Sequence, residues 1–159
     1  ALTDSTFHAR VLGQQFYHLA ASPAYLRKYG TPGSADDIMG HKCLVYRGSS
    51  GPNRWLLRRP GEAWTHYPVT PLMSSNNAET LLIAALGGMG MVLFPDWLIG
   101  DRVHNGELIK LLPDHEASIN TEPLTIAAIY PHTRHPPLNV RAVIDYYVEA
   151  FGSPLYWQS

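Results

Sequence analysis

The stretch "SSNNAETLLIAAL" puts Ser74, Ser75, Asn76 and Asn77 directly before an apolar helical run. Asn76 and Asn77 offer neutral donors and acceptors beside a helix start near Ala78, where free backbone N–H groups and the positive end of the dipole favour negative charge. Such a corner could receive a carboxylate. It could equally be a helix cap with a polar collar, Asn76 as N-cap and Glu79 closing a capping box, and the residues alone leave both readings open.

Other combinations carry less chemistry. The "GGMGM" run at residues 87–91 follows a helix and opens a strand, the reverse of a nucleotide phosphate loop, so dinucleotide binding is rejected. The eight histidines show no pair at i, i+4 on a predicted helix, and His132 with His135 lies in a proline-rich connection, so no metal is expected. Ser22 precedes Pro23 at a helix start and reads as a cap rather than a nucleophile. Trp55, Trp64 and Tyr67 could stack bases, but cross-strand packing on a hairpin accounts for them better. No acid/base pair or triad emerges from spacing, so no cofactor and no enzyme is expected.

The elements that position these groups follow from pattern. "RVLGQQFYHLAAS" reads as strand, and "SPAYLRKYG" as a short helix with Ser22 as cap, Pro23 at its first position and Gly30 as stop. A helical turn at "ADDIMGHK" precedes a buried strand, "CLVYRG". Two strand arms flank Pro60 and Gly61, the pair that suits the centre of a type II turn. "PLMSS" is a strand; "AETLLIAAL" is a helix buried on most of its surface and ended by Gly87 and Gly88; "MGMVLF" is a buried strand stopped by Pro95. A further short helix, a turn at Asn105 and Gly106, and a strand over residues 108–112 follow. "PLTIAAIYP" is a strand, and the last helix carries Val140, Ile144, Tyr147, Val148 and Phe151 at helical spacing.

Alternating strands and helices predict an α/β fold with a mainly parallel sheet, and ligands of such sheets sit beyond the carboxyl ends of the strands. Three strand ends then converge: residues 46–49 with Arg47 and Ser49, residues 75–78, and Phe94 with Pro95.

Composition bounds the rest. With 159 residues, 45% hydrophobic and 16% charged, the chain suits one globular unit or two small lobes, and its formal net charge of -1 implies no basic DNA-binding surface. The single cysteine, Cys43, permits no intrachain disulfide, which fits a reducing cytoplasm. Gly and Pro break the apolar stretches below the length of a bilayer span, and "ALTDSTFHARVLG" lacks a signal-peptide pattern and reads like the middle of a longer chain.

Taken together, "FYHLAASPAYLRKYGTPGSADDIMGHKCLVYRG", "SSNNAETLLIAALGGMGMVLFPDWL" and "HPPLNVRAVIDYYVEAF" resemble the effector-binding domain of LysR-type transcriptional regulators across roughly residues 7–152. The ordered combination is specific, although no single piece would suffice. The resemblance implies a type II periplasmic-binding-protein-like fold of two α/β lobes joined by crossing strands, with a small ligand between them. It implies a crossover segment at 1–13, a complete second lobe at 14–120, the return strand and helix of the first lobe at 121–152, and a tail at 153–159. The helix-turn-helix, the linker helix and most of the first lobe are expected to lie outside this sequence.

For function, the resemblance implies a small effector, an organic anion among the candidates, bound by Asn76, Asn77 and Ala78 at the cleft mouth with Phe94 and Pro95 as apolar wall. The strand ends add Arg47 and Ser49. It also implies a homo-oligomer, DNA contact only through the absent helix-turn-helix, and no membrane. "LTIAAIY", deprived of its sheet, is expected to find cover in another copy. A solute-binding receptor of a transport system is the alternative on the same fold.

Overall fold

The computed structural model describes residues 7–131, 137–152, 155 and 157. His132, His135, residues 1–6 of the expected crossover, the "HP" of the last motif and most of the expected tail lie outside the described residues. In chain order the elements are β1 (Phe7–Gln15), β2 (Tyr17–Ala21), α1 (Pro23–Tyr29), a 3-10 helix (Ala35–Gly40), β3 (Cys43–Gly48), β4 (Gly51–Pro52), β5 (Trp55–Arg58), β6 (Thr65–Tyr67), β7 (Pro71–Ser75), α2 (Ala78–Leu86), β8 (Met91–Pro95), α3 (Asp96–His104), β9 (Ile109–Lys110), β10 (Glu116–Ser118), β11 (Leu124–Pro131) and α4 (Leu138–Phe151). The chain divides into two compact units: one spans Phe16–Glu122, and the other holds the segments before and after it.

The larger unit is built on one sheet in the order β4-β3-β8-β2-β10-β5-β6, with β7 beside β3 and β9 beside β2. The expectation of a mainly parallel sheet does not hold. Among the described residues only β3 with β7 and β3 with β8 pair in parallel, and the other pairings are antiparallel. The reason is connectivity: the β7–α2–β8 crossover returns the chain in the same direction, whereas the tight hairpins β3–β4 and β5–β6 reverse it, and β2 runs against β8.

Strand alternation sorts the interior into two layers. Leu19, Ala21, Cys43, Val45, Met91 and Leu93 face a core closed by Tyr25, Ile38, Trp55 and Leu57. Ala20, Leu44, Val92 and Phe94 face the opposite core, closed by Leu81, Leu82, Ala85, Ile99 and Leu108. Both faces of β8 are therefore covered, which explains its continuous apolar run. Each fully buried Leu or Ile contributes about 1.5–3 kcal/mol relative to exposure.

Local signals act as expected at several ends. Ser22 Oγ accepts the Tyr25 N–H at 3.1 Å, Pro23 opens α1, and Gly30 closes it with φ 85°. The buried Tyr25 hydroxyl lies 2.6 Å from His41 Nδ1 and accepts the Lys42 N–H at 3.1 Å, pinning the end of the 3-10 segment to α1. Glu62 N–H donates to the Arg59 carbonyl at 3.0 Å around Pro60 and Gly61, whose φ of 84° is what a type II turn requires. Trp55 stands opposite Tyr67 in the hairpin, while Trp64 lies outside the strands, 4.2 Å beneath the Arg58 guanidinium.

Two expected elements are shorter or more exposed than read. The strand over 108–112 contracts to Ile109–Lys110, because Leu108 N–H turns to the Arg102 carbonyl and Leu112 takes a left-handed φ of 48°. Helix α2 keeps its expected span and buries Leu81, Leu82, Ala84 and Ala85, yet Ile83 on its outer side is 65% exposed.

In the smaller unit, β1 and β11 form an antiparallel ribbon from Phe7 opposite Pro131 to Gln15 opposite Leu124, with a register shift between Val11 and Gly13. A Cβ on Gly13 would come within 2.5 Å of the Leu155 side chain, so the glycine admits a close approach there. Helix α4 turns Ile144 inward, with Val140, Val148 and Phe151 half-buried on the same stripe. Tyr147 is exposed instead, as are Phe7, Val11, Ile129, Val143 and Tyr146.

Candidate functional site

The candidate site forms where two parallel strands end together. Tyr46 of β3 is the register partner of Ser75 of β7, so both chains leave the sheet at the same edge. From there β3 turns through Ser49 and Ser50 into β4, Gly48 pairing with Gly51, whose φ of 107° admits the reversal. On the other side β7 runs through Asn76 into α2. Between them is an open concavity of about 670 Å³ lined by Tyr46, Arg47, Gly48, Ser49, Ser74, Ser75 and Asn76.

The structure thus brings together three of the residues singled out from sequence: Arg47, Ser49 and Asn76. The helix cap falls one residue later than expected. Asn77, not Asn76, is the N-cap: its Oδ1 accepts the Thr80 N–H at 3.2 Å, and its own N–H donates to Ser75 Oγ at 3.0 Å. The helix starts at Ala78, so the residue before it is the one with the extended backbone a cap needs, and Glu79 falls too early to close a box. Asn76 is left to the concavity.

Ala78, Phe94 and Pro95 lie elsewhere. Ala78 packs against the core layer that contains Phe94 and Leu81. Phe94 is 3% exposed and Pro95 is buried opposite Tyr17, so the expectation that they form an open apolar wall is corrected. Strand β8 lies inside the sheet between β3 and β2, and its end is covered from both faces. Tyr46 packs on the same layer as Phe94, which places Phe94 beneath the site rather than in it.

Arg47 is the one charged side chain lining the concavity, and no described carboxylate forms an ion pair with it. Burial, and then the nearby Tyr46 phenol, push the Tyr17 hydroxyl above its ordinary range. A guanidinium, three serine hydroxyls, a carboxamide and the backbone of the turn between Gly48 and Gly51 can hold an anion by charge and hydrogen bonding. Ser74 was not legible as a member of this lining, because only the parallel register of β3 and β7 brings it there.

Comparison with known proteins now bears on this geometry. The chain matches the family model described as LysR substrate binding domain over residues 1–152. It is 33% identical over 155 residues to the HTH-type transcriptional regulator CrgA of Neisseria meningitidis serogroup C (strain 8013), an alignment covering 97% of this chain and 50% of that protein. The solved structure of CrgA, a LysR-type transcriptional regulator, superposes with a TM-score of 0.80 at 30% identity, covering 95% of this chain and 50% of that one. The regulatory domain of AphB in Vibrio vulnificus gives a TM-score of 0.74 at 28% identity, covering 94% and 71%. The chain spans about half the length of the curated relatives it matches.

The sheet here is therefore the mixed, periplasmic-binding-protein-like sheet of LysR regulatory domains. The matched relatives are transcriptional regulators, and none of those named is a transport receptor. Among the described residues no helix is long and apolar enough to cross a membrane. On the family model and these relatives, the chain belongs to the LysR substrate binding domain family.

Proposed function

We propose that this chain is the sensing part of a bacterial LysR-type transcriptional regulator that works in the cytoplasm without catalysing a reaction. A small effector, an organic anion, binds the concavity with its charge on Arg47 and its polar groups on Ser49, Ser75 and Asn76. Residues 14–120 serve as the second lobe, 121–152 as the return strand and helix of the first, 1–13 as the crossover and 153–159 as a tail. In the complete protein the effector favours one arrangement of the lobes, which changes how a homo-oligomer presents its DNA-reading segments.

The observation that carries this reading is the meeting of Arg47, Ser49 and Asn76 in one concavity at the paired ends of β3 and β7. A guanidinium without a described acidic partner, in a lining free of carboxylates, selects against cations and for anions. In a reporter strain carrying the full-length regulator, Asn76→Trp is expected to abolish the effector response while the protein still folds and binds its operator. An unchanged response would remove the concavity from the mechanism.

A further inference from the structure

Ser74 lines the concavity but has no part in the contacts assigned above. It is the register partner of Val45, one position before the pairing of Tyr46 with Ser75. Because side chains alternate along a strand, Ser74 shares its face with Arg47, two residues past Val45, while Ser75 shares the other face with Tyr46. The guanidinium therefore has one strand serine on its own side.

The two serines differ in hydrogen-bonding capacity. Ser75 Oγ already accepts the Asn77 N–H at 3.0 Å, whereas no described residue hydrogen-bonds to the Ser74 hydroxyl. Ser74 can both give a proton and accept one, which matches a hydroxyl on the ligand. A methylene in that place would leave Ser74 to water. An ammonium could donate to it, but would add a second positive charge near Arg47 with no carboxylate in the lining to offset it. An apolar substituent gains little, because Phe94 and Pro95 are buried and Tyr46 is the one large apolar side chain among the lining residues.

We infer that the effector is a hydroxy acid, with its carboxylate on Arg47 and its neighbouring hydroxyl on Ser74, and that Ser74 sets the preference over the matching unsubstituted and amino acids. This rests on reading the concavity as the effector site. Arg47→Ala tests that reading and Ser74→Ala tests the inference, so the two can fail separately.

The test is calorimetry of the full-length regulator against matched sets: acetate, glycolate and glycine; propionate, lactate and alanine; succinate, malate and aspartate, with both enantiomers of each chiral acid. In a set that binds, the hydroxy acid is expected to bind about fivefold or more tightly than its two counterparts, the yield of one added hydrogen bond. Ser74→Ala should bring the hydroxy acid down to the level of the unsubstituted acid while leaving the latter within about twofold of its parent affinity. Ser74→Thr keeps the hydroxyl and should retain the preference. Position 74 is exposed, so both variants are expected to fold. An unsubstituted or amino acid bound as tightly as its hydroxy counterpart, a preference that survives Ser74→Ala, or no hydroxy acid bound at all would overturn the inference. Binding that Arg47→Ala leaves untouched would overturn the site reading beneath it.

Discussion

Tyr46 and Ser75 are partners in the parallel pairing of β3 and β7, and this single register relationship sets Arg47 and Asn76 side by side although twenty-eight positions of sequence, about a fifth of the chain, separate them. A slip of one residue in either strand would turn Arg47 or Asn76 to the other side of the sheet edge. The concavity is thus a product of pairing, with the helix cap at Asn77 holding one of its rims.

The division of labour between the two asparagines is measurable as stability. Asn77→Ala removes the cap oxygen from the Thr80 N–H and is expected to cost about 1 kcal/mol, within the range of about 0.5–2 for such caps. Asn76→Ala, at an exposed position outside the cap, is expected to stay within about 0.5 kcal/mol of the parent. Urea denaturation of both variants decides it, and equal losses would return the cap to Asn76.

Cys43 is expected to be chemically silent in the folded chain. It is fully buried, and burial pushes its thiol up to about 12. The folded pKa lies above that of the unfolded chain, so the stabilising contribution is complete below the unfolded thiol pKa and is lost as pH rises toward the folded value. At pH 8 a disulfide reagent should label Cys43 only after denaturant is added. Rapid labelling of the native chain would show that the core around Ile38 and His41 opens.

His18 predicts a change on the acid side. Burial first, then Lys110, hold its imidazole below the ordinary value of about 6.5, against a weaker opposing pull from Asp96. Here the folded pKa is the lower one, so the unfolded chain takes up the proton first as pH falls. The contribution is present above the unfolded histidine pKa and is lost as pH falls through the folded one. Thermal midpoints should drop below about pH 6.5, and His18→Gln should flatten that slope. An unchanged slope in His18→Gln would assign the acid sensitivity to another group.

Much of the fold was legible because its ends are written in local chemistry. Ser22 with Pro23 marks the start of α1, Pro60 with Gly61 marks a turn, and the apolar run of residues 78–86 is α2 to the residue. What could not be read is what depends on partners distant in sequence. Strand direction is one case: alternation of strands and helices suggests parallel pairing, but β2 meets β8 and β10 antiparallel, and no local signal reports that. The short strands β4 and β10 are too brief to leave a periodic pattern.

The site shows the same boundary. Arg47, Ser49 and Asn76 were findable as lining of one concavity because they lie at or just past the carboxyl ends of two strands, where α/β sheets place their ligands. Phe94 and Pro95 misled for a physical reason: a strand end near a site in sequence becomes interior when strands flank it on both sides, as β3 and β2 flank β8. The Asn76 and Asn77 pair was ambiguous by one position because either amide can cap, and only the backbone at Asn77 settles which does.

The most direct measurement is isothermal calorimetry of the full-length regulator against a panel of small carboxylates, repeated with Arg47→Ala and Asn76→Trp. At least one carboxylate is expected to bind the parent, and its affinity should fall about tenfold or more in each variant, the loss of one charge-assisted contact or of the space for the ligand. Folding, followed by thermal midpoint, should shift by no more than a few degrees in either variant, since both positions are exposed. A carboxylate that binds the parent and both variants with equal affinity would contradict the account, because the ligand would then be held somewhere other than the meeting point of β3 and β7.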